Sequence, residues 1–197
     1  KGKKWYENGK KKNKLNSFRD FIACAEFLKK ENISKNITIH GGSAGGLLIG
    51  ASLNISPDTF HCAVAEVPFV DVLNTILDDT LPLTPPEWEE WGNPIKSKSD
   101  FNYIRSYSPY DNIKEQNYPT ILATSGLTDP RVTYWEATKW IAKLRSKKTD
   151  NNPLFLKTYT EAGHGGMAGR YNQIRETAFI YAFILWRNNL IKRPFSR

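Results

Sequence analysis

Residues 37–53 read ITIHGGSAGGLLIGASL, and few folds accept such a stretch. A β-branched run gives way to Gly41-Gly42-Ser43-Ala44-Gly45, then to apolar residues at helical spacing. The chain must pass from strand to helix within a few residues, and glycine on either side of the serine removes Cβ atoms that would collide in the reversal. In this context G-x-S-x-G leaves a serine exposed at the C-terminal end of a sheet and at a helix N-terminus. Ser43 is therefore a candidate nucleophile. The N–H of Ala44, with no intrahelical partner at the helix start, is the candidate oxyanion donor. The plainer alternative is a glycine-rich turn that serves a phosphate or nothing at all.

The rest of the chain repeats the alternation of helix and strand. SFRDFIACAEFLKKEN carries apolar residues at Phe18, Phe21, Ile22, Ala25 and Leu28, a helical period, with Ser17 and Asp20 as a capping-box variant. HCAVAEVPF, YPTILATSG and NPLFLKTYT read as further buried strands. YWEATKWIAKLRSKK and YNQIRETAFIYAFILWRNNL read as helices, and the first helix after Ser43 should stop near Ser56-Pro57. Helices alternating with buried strands predict an α/β fold, a mostly parallel sheet with helices on both faces. Residues 74–118, rich in Pro, Trp, Asp and Glu, break the pattern and are expected to form an insertion or cap over one end of the sheet.

A serine hydroxyl needs a base at neutral pH, and the base needs an acid to fix its tautomer. Of three histidines, His164 lies in the glycine-rich loop EAGHGGMAGR after the fourth strand, where it can reach a serine on the same sheet edge. His40 beside the turn is a distant second, and His61 at an apolar strand start is expected to be structural. Asp129 in TSGLTDPRV follows the third strand. The order Ser43, Asp129, His164 is that of α/β-hydrolases. Asp71, Asp78 and Asp79 precede the third strand and lie near the cap segment, which makes them weaker candidates.

The net charge of +8 resides at the ends. Residues 1–14 contribute +6 and residues 187–197 contribute +4, so the body sums to −2. Charge so placed predicts solvated tails, and no recognised motif argues for nucleic-acid binding. No apolar run reaches the roughly 18 residues of a membrane span, and the lysine-rich start is no secretory signal. Cys24 and Cys62 both sit in apolar segments and are expected to be buried free thiols in a cytoplasmic protein. No cofactor or metal is implied.

With these residues in place, the chain resembles the prolyl oligopeptidase family of serine peptidases, in the branch acting at arginine and lysine. The likeness runs through WYENGK, FRDFIACAEFL, GSAGGLLIGASLN, VPFVDV, EWEEWGNP, YSPYDNI, DPRVTYWEATKW, KTDNNPL and AGHGGMAGRY, essentially the whole chain. It departs at Gly42, where that branch usually carries arginine, and at TPP before EWEEW. The resemblance implies an α/β-hydrolase fold and cleavage of short basic peptides after arginine or lysine. Carried over by motif, Glu87 and Glu89 would hold the P1 arginine, Phe69 would pack on its stem, and Arg131 would bind a substrate carbonyl. Carboxylates among Trp88 and Trp91 suit a guanidinium on chemical grounds as well; without the resemblance, the cluster reads as a solvated loop.

The family's β-propeller, its earlier sheet strands and its tyrosine oxyanion donor are not among these 197 residues. The chain is therefore expected to be the C-terminal part of the catalytic domain, pairing with the missing N-terminal part or with itself. The alternatives are an esterase or another peptidase of the same fold, and a catalytically silent fragment acting as a scaffold.

Overall fold

The computed structural model describes residues 1–192. Four strands, β1 (Thr38–Gly42), β2 (Cys62–Glu66), β3 (Thr120–Gly126) and β4 (Leu154–Tyr159), form one sheet in the order β1-β2-β3-β4, all parallel. The register pairs Thr38 with Cys62, Cys62 with Thr120 and Ile121 with Leu154. Gly42, Glu66, Gly126 and Tyr159 therefore end the strands along one edge. Every residue of β3 is buried, as expected for a central strand covered on both faces.

The side-chain alternation of the strands divides the core. Ile39, Ala63, Ala65, Ile121 and Ala123 face one side. They pack there against α2 (Leu15–Lys30), α3 (Ala44–Ile55) and α7 (Tyr134–Lys147). Cys62, Val64 and Leu122 face the other, against Ile180 and Phe183 of α8 (Arg170–Arg187). Among the described residues α8 alone covers that face, and it leaves β1 partly bare: His40 is exposed.

Residues 74–118 carry most of α4 (Val72–Leu77) and all of α5 (Thr84–Trp91) and α6 (Lys98–Tyr107). They are not a loose insertion. Phe69, Val72, Ile76, Trp91, Ile104 and Tyr107 form a second core with Phe18, Leu47 and Ala51. Burying a large apolar side chain is worth about 1.5–3 kcal/mol, so this cluster fixes the cap to α2 and α3.

Three expectations need correction. The first 14 residues are not a free tail: they form α1 (Gly2–Glu7) and a 3₁₀ turn (Lys11–Asn13) that lie against the cap. Lys11 pairs with Glu89 at 2.9 Å, Lys12 with Asp100 at 2.7 Å and Lys14 with Glu90 at 2.7 Å. The acidic cap thus gives a local use to lysines that composition alone makes look like solvated charge. Cys24 is exposed and only Cys62 is buried; the buried stripe of α2 runs through Phe18, Ile22 and Ala25, and Cys24 falls outside it. Finally, α2 begins at Leu15, so Ser17 lies inside the helix; its hydroxyl donates to the Gly9 carbonyl at 3.3 Å. The C-terminal basic stretch lies outside the described residues from 193 onward.

Candidate active site

The strand–helix reversal occurs at Ser43, which has φ 54° and ψ −122°. A non-glycine residue adopts that conformation only when its surroundings hold it there. Here the backbone of β2 does so. Ser43 N–H donates to the Glu66 carbonyl at 2.9 Å, and the Ser43 carbonyl accepts from Gly46 at 2.8 Å and Phe69 at 3.0 Å. A Cβ on Gly41 would lie 2.6 Å from the Gly45 carbonyl oxygen, so this close turn needs glycine. A Cβ on Gly45 would meet nothing within 4 Å, but one on Gly46 would lie 2.4 Å from the Pro68 Cα, so on the helix side the close approach falls at Gly46. Ala44 opens α3 and is exposed, and its N–H has no intrahelical acceptor.

Asp129 and His164 are joined through Oδ2 and Nδ1 at 2.8 Å. The Asp129 side chain is fully buried, and its other oxygen accepts from Arg131 N–H at 2.8 Å and Val132 N–H at 3.1 Å. The carboxylate is thereby fixed with one oxygen aimed at the imidazole. The loops carrying the pair are stitched together as well: Thr128 donates to the Ala162 carbonyl through its amide at 3.2 Å and its hydroxyl at 2.9 Å. A Cβ on Gly126 would lie 2.4 Å from that same oxygen. Ser43 and His164 line one cleft, and no hydrogen bond joins the two side chains. Such contacts often close only when substrate is bound.

The cleft measures about 130 Å³, room for one side chain, and Phe69, Glu87, Trp91 and Arg131 also line it. Glu87 Oε2 accepts from Trp91 Nε1 at 2.8 Å, and the Trp91 ring lies 5.5 Å from that of Phe69 at an interplanar angle of 57°. One tryptophan therefore orients both the acidic and the aromatic wall. Glu89 is not brought here. It lies two residues on around α5, exposed and held by Lys11, whose hydrogen bond keeps its carboxyl below the ordinary range. Glu90 is turned toward Lys14 and Tyr6. Burial opposes its ionisation, but those two contacts outweigh it and hold the carboxyl below its usual value.

The other candidates are occupied elsewhere. His40 Nε2 lies 2.5 Å from Glu66 Oε1, a contact that raises the imidazole above its ordinary pKa. His61 Nε2 contacts the Arg187 carbonyl at 2.6 Å. Asp71 pairs with Lys139, Asp78 accepts from Thr80, and Asp79 is exposed. The sequence offers Trp91 as an aromatic face for a cation but not as the donor that orients Glu87, and it does not single out Thr128. The indole N–H four residues from Glu87 was a readable helical pairing, whereas Thr128 shows its use only once two distant loops meet. Among the described residues, no group of three His, Cys, Asp or Glu side chains could hold a metal ion.

Residues 1–189 match the prolyl oligopeptidase family, Peptidase S9. The chain belongs to the prolyl oligopeptidase family. It is 51% identical over 186 residues to protease 2 of Moraxella lacunata, which covers 93% of this chain and 27% of that protein. It is 46% identical to dipeptidyl aminopeptidase BI of Pseudoxanthomonas mexicana, over 93% of this chain and 26% of that one. The solved structure of oligopeptidase B from Trypanosoma brucei superposes with a TM-score of 0.91 at 50% identity, covering 94% of this chain and 26% of the other. The fold is thus the α/β-hydrolase fold of these peptidases, and the chain spans about a quarter of the length of the relatives it matches. The glycine-flanked Ser43 turn follows β1, the strand at one edge of the described sheet.

Proposed function

We propose that this chain carries the catalytic centre of a serine oligopeptidase that cleaves short peptides after arginine or lysine through an acyl-enzyme on Ser43. The observation that carries the reading is one cleft holding Ser43, His164 and Glu87 together, with His164 already hydrogen bonded to buried Asp129. In the proposed reaction His164 Nε2 takes the Ser43 proton as Oγ attacks the scissile carbonyl. Asp129 holds the Nδ1–H tautomer and stabilises the imidazolium. The Ala44 N–H receives the developing oxyanion. His164 passes the proton to the leaving amine as the C–N bond breaks, and water repeats the sequence to release the acid. Glu87 meets the P1 cation, while Phe69 and Trp91 pack on its apolar stem and add cation–π attraction of about 0.5–2 kcal/mol. Arg131, exposed beside the cleft, is the proposed partner of a substrate carbonyl.

Two further points support the setting. Both cysteines are free and one is exposed, which fits a reducing, cytoplasmic compartment; no helix among the described residues is long and apolar enough to cross a membrane. Among the described residues no strand pairs with the outer edge of β1, and an open edge supports pairing with another strand, from the rest of a longer enzyme or from a second copy.

The test is a fluorophosphonate probe on the enzyme at its native length, alongside turnover of arginyl, prolyl and dipeptidyl amides and a simple ester. Labelling lost in Ser43→Ala, with arginyl amides preferred, is expected. Preference for the dipeptidyl amide would favour the specificity named for the Pseudoxanthomonas relative. Preference for the ester would favour an esterase, and neither labelling nor turnover would favour a silent scaffold.

A further inference from the structure

Glu136 is fully buried, yet it neither lines the cleft nor touches the triad. Its Oε2 accepts from the backbone N–H of Val70 at 2.9 Å and of Asp71 at 2.8 Å, and its Oε1 accepts from the Thr75 hydroxyl at 2.8 Å. Burying a carboxylate is expensive, and an apolar residue of similar volume would avoid the cost. That cost shows in the group itself: burial, with the charge of Asp71 added, pushes its carboxyl up to about 7. A use other than packing is therefore called for.

The segment that Glu136 holds supplies it. After β2 the chain turns through Val67 at φ 39°, a strained conformation for a β-branched residue. Val67 N–H donates to the Thr124 carbonyl at 2.9 Å, and Phe69 N–H donates to the carbonyl of Ser43 at 3.0 Å. Immediately beyond Phe69, the next two amides end on Glu136. The other end of that tie is the first turn of α7, which follows directly from the loop of Asp129 and Arg131. Asp71 is held further by Lys139 from the same helix, and the Val70 carbonyl accepts from Tyr110 N–H at 2.9 Å. Phe69 thus sits on a short span bolted to the nucleophile's own carbonyl on one side and to α7 on the other.

We propose that Glu136 is a positioning residue for the P1 pocket: it fastens residues 70 and 71 to the start of α7 and so fixes Phe69 opposite Glu87. This rests on the substrate reading above, because Phe69 matters only if a side chain enters that cleft. The triad has its own supports in the Ser43–Glu66, Asp129–Val132 and Thr128–Ala162 contacts. Loosening the Glu136 tie should therefore weaken the pocket and leave the nucleophile reactive.

The test compares wild type with Glu136→Gln at native length. Glutamine keeps a carbonyl for the two amides but makes neutral bonds of about half the strength. The probe is 4-aminobenzamidine, whose amidine stands in for the P1 cation, with fluorophosphonate labelling of Ser43 as the chemical control. The expected result is amidine affinity, and KM for an arginyl amide, worse by about three- to thirtyfold. Labelling rate and kcat should stay within about twofold and the melting temperature should not fall, because a buried charge is removed. Amide exchange at Val70 and Asp71 should rise. Unchanged amidine affinity overturns the proposal, as does a loss of affinity, labelling and melting temperature in step, which is what a merely structural role would give. A wild-type enzyme that binds no amidine overturns the substrate reading and this one with it.

Discussion

Replacing Glu87 by glutamine separates the charge of the cleft from its shape. Trp91 Nε1 donates to Glu87 Oε2 at 2.8 Å, and a glutamine carbonyl can keep that bond. Its NH2 group then faces the position where the second carboxylate oxygen would meet a guanidinium, and donor faces donor. The loss is one charge-assisted hydrogen bond, about 1.5–3 kcal/mol, or about 10- to 150-fold in kcat/KM for an arginyl amide. A neutral P1 side chain of similar length never made that bond, so its kcat/KM should change by less than about threefold. The assay is the ratio of the two values, measured on the enzyme at native length, with melting temperature as the control for folding. Equal loss on both substrates would place Glu87 in the scaffold and refute the account of the pocket.

Glu89→Gln is the contrast: exposed and held by Lys11, it should leave the same ratio within about twofold, and a loss as large as that of Glu87→Gln would mean that α5 presents a different face to substrate. Asp129→Asn should keep its bonds to Arg131 and Val132 but turn an amide toward His164 Nδ1, which forces the wrong tautomer; turnover should fall about 10⁴-fold, and a loss below tenfold would remove Asp129 from the triad. The His40–Glu66 contact raises the folded pKa of the imidazole above 6.5, so its stabilisation is present in full below that pH and is lost as pH rises through the raised value. Urea midpoints for wild type and His40→Gln should therefore converge from about pH 6.5 upward, and a constant difference across that range would deny the pairing. Gly126→Ala must displace the Ala162 carbonyl and with it the His164 loop; the melting temperature should drop, and an unchanged value would show that the two loops are not in close contact.

The parallel sheet was legible because its signals are local: β-branched runs, glycine turns and helical periods lie within a dozen residues of one another. The positions of Ser43, Asp129 and His164 could be read for the same reason, since each follows a strand and parallel strands end on one edge. The pocket was harder. Three glutamates in PPEWEEW are indistinguishable by composition, and the rotation of α5 together with the lysines of residues 11–14 decides which one is left for the cleft. Those lysines come from more than 70 residues away, so no window of sequence shows the pairing. Cys24 was misplaced because an apolar neighbourhood in a helix does not say which side of the helix a residue takes. Glu136 was detectable in principle: it shares the buried face of α7 with Ala137, Trp140, Ile141 and Leu144, and an acid on an apolar stripe is the informative exception.

The site therefore divides by origin. The proposed chemistry sits on strand ends, held by backbone bonds between successive strands: Ser43 to Glu66, Val67 to Thr124, Leu127 to Tyr159 at 2.9 Å. The proposed recognition sits on the cap, whose helices reach the cleft through long-range side-chain contacts and a lysine-rich segment from the start of the chain. Backbone bonds in a sheet tolerate most side-chain changes, whereas a cap fixed by side chains shifts when they change. Proteins that match this chain over 93% of its length can thus carry names that record different activities, as protease 2 and dipeptidyl aminopeptidase BI do. Glu136 spans the two parts, with its helix rooted beside Asp129, the proposed triad acid, and its carboxylate on the loop that carries Phe69. A change there should be felt in what the enzyme selects before it is felt in how fast Ser43 reacts.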